Sequence, residues 1–125
     1  MVTVSNKVGT LSKITEIVSG ANINLVAICG YAIGEKGFIN FVTEDNKRVK
    51  KLLQEKKFDA REEEVVVVSL GNKPGALKAL SDTIANAGID LVLMYGSVND
   101  KDKAARLVLV SEDNKAVLSI IRLMQ

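Results

Sequence analysis

Two small α+β sandwiches in one chain are the fold class this sequence predicts, and three observations carry it. Residues 6–30 fall on residues 72–96 when the chain is slid against itself. Nine positions are then identical: Asn6/Asn72, Lys7/Lys73, Gly9/Gly75, Leu11/Leu77, Ala21/Ala87, Ile23/Ile89, Leu25/Leu91, Val26/Val92 and Gly30/Gly96. Further on, Val42-Thr43-Glu44-Asp45-Asn46-Lys47 meets Val110-Ser111-Glu112-Asp113-Asn114-Lys115, so the second copy carries two extra residues in between. The second observation is the alternation of strand-like and helix-like segments within each copy. The third is composition: 125 residues, 47% of them hydrophobic and 26% charged, which is ample for a packed core.

The elements follow in order. Residues 1–5 form a short opening strand. Leu11, Ile14, Ile17, Val18 and Ala21 recur at helical spacing, as do Leu77, Leu80, Ile84 and Ala87. Asn6 or Lys7, and Asn72 or Lys73, are expected near the helix starts. Pro74 suits a first helical turn, where its missing N–H costs little. Gly20 and Gly88 are candidate stop signals. Residues 23–32 and 89–98 read as strands. The first turns back through Gly34-Glu35-Lys36-Gly37 and the second through residues 99–103, where the extra residues belong. Residues 38–42 and 106–110 are the return strands. Val49, Leu52 and Leu53, and Val117, Ile120, Ile121 and Met124, mark a second helix in each copy. Residues 58–70 follow the first of these, with Val65-Val66-Val67-Val68 read as a fully buried strand.

Strand, helix, strand, strand, helix, strand is the order of a ferredoxin-like βαββαβ sandwich, with an antiparallel sheet and both helices on one face. The expected domains are 1–64 and 65–125. The last strand of the second unit is missing, because residue 125 corresponds to residue 57 of the first copy. A unit of about 60 residues buries only about 60% of its unfolded surface, so two units or a dimer are expected to support one another. An opening strand as apolar as residues 65–70 is a poor bare edge. It is expected to pair across a homo-oligomer, a dimer being the simplest, unless the chain is trimmed.

The composition excludes several chemistries. The chain has no His, no Trp and one Cys. Imidazole-based nucleophile activation and His-containing or four-thiolate zinc sites are therefore out. No catalytic residue, cofactor or metal site is expected. A net charge of +2, from seventeen basic against fifteen acidic residues, gives little support to a phosphate-tracking nucleic-acid surface. The few aromatics, Tyr31, Phe38, Phe41, Phe58 and Tyr95, form no base-stacking motif. No apolar run spans a bilayer and no signal peptide opens the chain. No membrane association is expected, and a cytoplasmic location is the default. Cys29 reads as a buried, inert thiol. Glu62-Glu63-Glu64 and the basic stretch Arg48-Val49-Lys50-Lys51 read as solvated faces.

Asn-Lys-Val-Gly-Thr-Leu (6–11) with Ala-Asn-Ile-Asn-Leu (21–25), and Asn-Lys-Pro-Gly-Ala-Leu (72–77) with Ala-Gly-Ile-Asp-Leu (87–91), resemble ACT domains. The resemblance covers nearly the whole chain, twice, and is closest to stand-alone tandem ACT proteins. It implies binding of a small ligand, usually an amino acid, between paired units. Val8 in place of Pro74, the short first strand and the missing last one depart from the family pattern.

Two sets of residues are candidates for that ligand. The turns Asn6-Lys7-Val8-Gly9 and Asn72-Lys73-Pro74-Gly75 open helices, where free backbone N–H groups and the positive dipole end suit a carboxylate. Gly9 and Gly75 would let a ligand approach the backbone closely. The structural alternative is an Asn cap with a glycine for tight helix–sheet packing. Asn24 and Asp90 begin the second strands, where they would accept from an ammonium group, or simply close a turn. Asn22 is a further candidate, or a left-handed helix end. The expected ligand-binding set is Asn6, Val8, Gly9, Asn22, Asn24, Asn72, Pro74, Gly75 and Asp90. The expected function is a non-catalytic amino-acid-binding regulator. The alternative is a regulatory subunit that controls a separate amino-acid biosynthetic enzyme by direct contact.

Overall fold

The computed structural model describes residues 1–71, 73–97 and 104–124. The chain divides into two compact units, Met1–Glu63 and Glu64–Gln125. In the first unit the elements are β1 (Val2–Ser5), α1 (Thr10–Gly20), β2 (Leu25–Ile33), β3 (Lys36–Thr43), α2 (Asn46–Glu55) and β4 (Asp59–Ala60). The four strands form one antiparallel sheet in the order β2-β3-β1-β4. In the second unit they are β5 (Val66–Gly71), α3 (Ala76–Asn86), β6 (Leu91–Ser97), β7 (Ala104–Ser111) and α4 (Asn114–Met124), with the sheet order β5-β7-β6. Each unit is a ferredoxin-like α+β sandwich, the first with four strands and the second with three among the described residues.

Periodicity places the core. Ile14 and Val18 of α1 and Val49 and Leu53 of α2 meet Val2, Ile39 and Ala60 of the sheet, all buried. Cross-strand partners share a face, and Val2 lies opposite both Ile39 and Ala60, so both helices cover the same face. Leu80, Ile84, Val117 and Ile121 meet Val66, Val68 and Leu109 in the same way in the second unit. The run Val65-Val66-Val67-Val68 is not buried throughout, contrary to its all-apolar sequence. Val66 and Val68 enter the core, while Val67 points to the opposite face and is 43% exposed. An antiparallel strand with helices on one side alternates in this way whatever its letters.

The repeated block at 42–47 and 110–115 has a local physical reason. The Asp45 carboxylate accepts from the Arg48 amide at 3.2 Å, and the Asp113 carboxylate accepts from the Ala116 amide at 3.1 Å, capping α2 and α4. Asn46 Oδ1 accepts from the Thr43 amide (2.8 Å) and hydroxyl (2.9 Å); Asn114 Oδ1 accepts from the Ser111 amide (2.9 Å) and hydroxyl (3.0 Å). A cap of this kind is worth about 1 kcal/mol.

The helix ends refine the expectations. Gly20 is the last residue of α1, not its terminator. The left-handed residue is Asn22 (φ 58°), matched by Gly88 (φ 71°) after α3. In both cases two amides close the helix end: Ile23 to the Val18 carbonyl and Asn22 to that of Ser19, then Ile89 to Ile84 and Gly88 to Ala85. The hairpin between β2 and β3 turns on Gly34 (φ 60°) and Glu35. The turn expected at residues 99–103 lies outside the described residues. Both second strands shift register at equivalent places, between Leu25 and Ala27 and between Leu91 and Leu93.

Candidate functional site

In the first unit the chain leaves β1 at Ser5 and enters α1 at Thr10. Gly9 is the residue before the helix and holds φ 87°, a conformation an L side chain adopts at a cost of about 1–2 kcal/mol. Nothing lies within 4 Å of where a Cβ would stand on Gly9, so the glycine serves the turn, not close helix–sheet packing. The Asn cap weighed from the sequence is not what the turn builds: no side chain caps α1. The Asn6 amide instead donates to the Glu35 carbonyl at 2.7 Å, tying the turn to the β2–β3 hairpin. The Thr10 hydroxyl donates to the Lys7 carbonyl at 3.0 Å. The amides of Leu11 and Ser12 find no acceptor among the described residues. At α3, Gly75 likewise has φ 85° and open space, and among the described residues no side chain caps the helix. Among the described residues the first helix of each unit is thus uncapped, whereas the second is capped.

Beside this turn is a cavity of about 470 Å³. One end of its lining is polar: Ser5, Asn6, Lys7 and Thr10. The rest is mostly apolar: Val4, Leu11, Ile28, Gly30, Tyr31, Ala32, Gly37 and Ile39. The opening exists because the stretch of β2 facing α1 carries Gly30 and Ala32, which fill little volume. A Cβ built on Gly30 comes no closer than 3.9 Å to Ile39 Cγ1 or the Phe38 carbonyl oxygen. Tyr31, the cross-strand partner of Phe38, stacks on it with ring centroids 5.3 Å apart.

The residues expected from the sequence are distributed unevenly around this cavity. Asn6 lines it. Val8 is fully exposed on the turn, and Gly9 beside it is exposed too. Asn22 and Asn24 lie at the opposite end of α1, which at 1.5 Å per residue over 11 residues is about 16 Å away. The Asn24 Nδ2 donates to Glu44 Oε1 at 3.5 Å, and its carbonyl accepts from the Glu44 amide at 3.2 Å. Asp90 repeats that backbone bond with Glu112 at 3.1 Å. One unit therefore does not bring the turn and the early second strand together around one small molecule. Pro74 stands one residue before the Gly75 cap position, outside the first helical turn. Asn72 lies outside the described residues. Cys29 is half-buried in β2, less enclosed than its apolar neighbours suggested. Of the twelve lining residues only Asn6 belongs to the expected set; Lys7 and Thr10 on the turn and Gly30 and Ala32 on β2 are among those it lacked. The identities of Lys7 with Lys73 and of Gly30 with Gly96 were the available signals.

A family model for an ACT domain pair matches residues 1–122. The chain belongs to the ACT domain pair family. The pair is similar to protein BT0572 from Bacteroides thetaiotaomicron, with a TM-score of 0.91, 25% identity, and coverage of 98% of this chain and 84% of that one. It shares its fold with the ligand-free regulatory subunit of aspartate kinase from Thermus thermophilus (TM-score 0.69, 12% identity, 98% and 87% covered). The fold is also that of a structure of aspartokinase alpha and beta subunits (TM-score 0.68, 21% identity, 98% and 87% covered). No curated protein resembles the sequence closely enough to count as a relative. Among the described residues of the ACT pair, no cluster of Cys, Asp and Glu is placed to hold a metal ion, and no helix is long and apolar enough to cross a membrane.

Proposed function

We propose that this ACT pair is a non-catalytic regulatory protein that binds a free amino acid at the start of α1. The observation that carries the reading is an uncapped helix start beside a cavity of about 470 Å³. The volume is within the roughly 300–1,000 Å³ usual for small-molecule sites. The amides of Leu11 and Ser12 have no acceptor of their own, and the helix dipole favours an anion there, so the ligand carboxylate belongs at this end. Lys7 adds the only formal positive charge on the lining. Asn6 and Thr10 offer a carboxamide oxygen and a hydroxyl to the ligand ammonium. Asn24 and Asp90, at the far end of their units, would reach this ligand only from another unit, in the same chain or in a second copy of it, and a homodimer is the oligomer this reading expects. Regulation follows if the ligand favours one arrangement of units over another, so that a partner enzyme senses its presence.

The test is a thermal-shift panel of the twenty amino acids on the full chain. A ligand at about 100 times its dissociation constant raises stability by about 2.7 kcal/mol. A panel in which no amino acid moves the transition rejects the reading. Binding that survives unchanged in Lys7→Ala and Gly9→Val, both verified as folded, moves the site elsewhere.

A further inference from the structure

We propose that the first-unit cavity is a side-chain subsite for an apolar amino acid, and that Gly30 sets the size it accepts. This rests on the amino-acid reading above and adds which chemical class of amino acid is taken. The polar groups of the lining gather at the turn, Ser5 to Thr10, where the carboxylate and ammonium are held. Away from the turn, the surface a side chain would meet is Val4, Ile28, Gly30, Ala32 and Ile39. Among the described residues no carboxylate lines the cavity, so the terminal charge of a lysine or arginine ligand would find no counter-ion there. A carboxylate, amide or hydroxyl pushed toward Gly30 would lose its water without a matching donor, a cost of about 1–3 kcal/mol by mutational measures. A methyl or methylene group there gains by leaving water.

Gly30 decides the depth. Its Cα faces open space, with Ile39 Cγ1 3.9 Å from the position of a Cβ. The equivalent glycine of the second unit shows the closed alternative. Gly96 lies opposite Leu107 as Gly30 lies opposite Ile39. A Cβ on Gly96 would overlap Leu107 Cδ2 and stand 2.7 Å from the Arg106 carbonyl oxygen. The same backbone position is thus filled from across the sheet in one unit and left vacant in the other.

Isothermal titration of the full chain with leucine, isoleucine, valine, methionine and phenylalanine, against alanine, serine, threonine, aspartate and lysine, tests the proposal. The expected result is binding of at least one of the first group at least about tenfold tighter than alanine, within the range a few methylenes supply. Gly30→Leu is expected to abolish that preference by filling the space. Gly30→Ala, a smaller change that the spacing tolerates, is expected to weaken the largest accepted ligand more than valine, and it serves if Gly30→Leu does not fold. A preference for a charged or hydroxyl amino acid overturns the proposal while leaving amino-acid binding intact. So does an unaltered ligand ranking in both folded variants. Failure of every amino acid to bind the wild-type chain overturns this proposal and the function beneath it together.

Discussion

Gly30 and Gly96 are the same letter at the same place in two copies of one unit, yet their surroundings are opposite. Gly30 borders a cavity, whereas Gly96 is pressed by Leu107 and the Arg106 carbonyl. The difference lies across the sheet: the facing residue is Ile39 in one unit and Leu107 in the other, and the facing backbone carbonyl is 3.9 Å from the Cβ position at Gly30 but 2.7 Å from it at Gly96. Isoleucine branches at Cβ and keeps its bulk near its own backbone. Leucine branches one carbon later and extends its methyls over the facing residue. A duplicated glycine can therefore border open space in one copy and make room for a neighbour in the other.

The largest effect that sharpens this contrast is at those glycines. Gly96→Ala is expected to lower stability by about 1–3 kcal/mol in urea unfolding, as overpacking does. Gly30→Ala is expected to be neutral or to gain about 0.5–1 kcal/mol, because alanine in a strand interior loses less chain entropy than glycine. Equal losses at both sites would break the comparison. A second contrast lies next to it. Asn40 is 9% exposed and its Nδ2 has no partner among the described residues, while its counterpart is the fully buried Val108. Asn40→Val, which copies the second unit into the first, is expected to raise stability by about 1 kcal/mol, since an unsatisfied buried donor costs about 1–3 kcal/mol. A loss in the same urea assay would mean that the carboxamide has a role the packing does not reveal. The smallest effect belongs to the first unit alone. The Met1 amine donates to the Arg61 carbonyl at 2.8 Å. Burial pulls its pKa below the usual 8.0, opposed by Glu63 and Glu62. Between the folded value and 8.0 the unfolded chain holds more of this proton, so this group's contribution makes stability rise with pH across that window. N-terminal acetylation is expected to flatten that part of a stability–pH curve.

The repeat made the fold legible. Of the residues at helical spacing, Ile14, Val18, Leu80 and Ile84 are buried whereas Leu11, Leu77 and Met124 are exposed, and the order of elements along the chain followed from the alternation. Burial along Val65–Val68 was not legible, because an unbroken apolar run hides which side chains face the helices. The block at 42–47 stood out as a repeat, but its capping network needed the distances between Thr43, Asp45 and Asn46. Of the candidate site, Asn6 could be read and the cavity could not. A void is defined by what Gly30, Ala32 and Ile39 leave unfilled, and that depends on pairing across strands. Asn22 drew attention as a polar residue beside a strand, whereas its place is set by its φ of 58° at the end of α1.

The uncapped start of α1 also has a kinetic meaning. Leu11 and Ser12 hold amide hydrogens with no acceptor among the described residues, whereas the Arg48 amide in α2 is bonded to Asp45. In deuterated solvent the first pair exchanges by simple contact with water, without any opening of the helix. A carboxylate resting on those amides would slow their labelling directly. The first turn of α1 therefore carries its own clock for occupancy, readable while the rest of the unit stays unchanged.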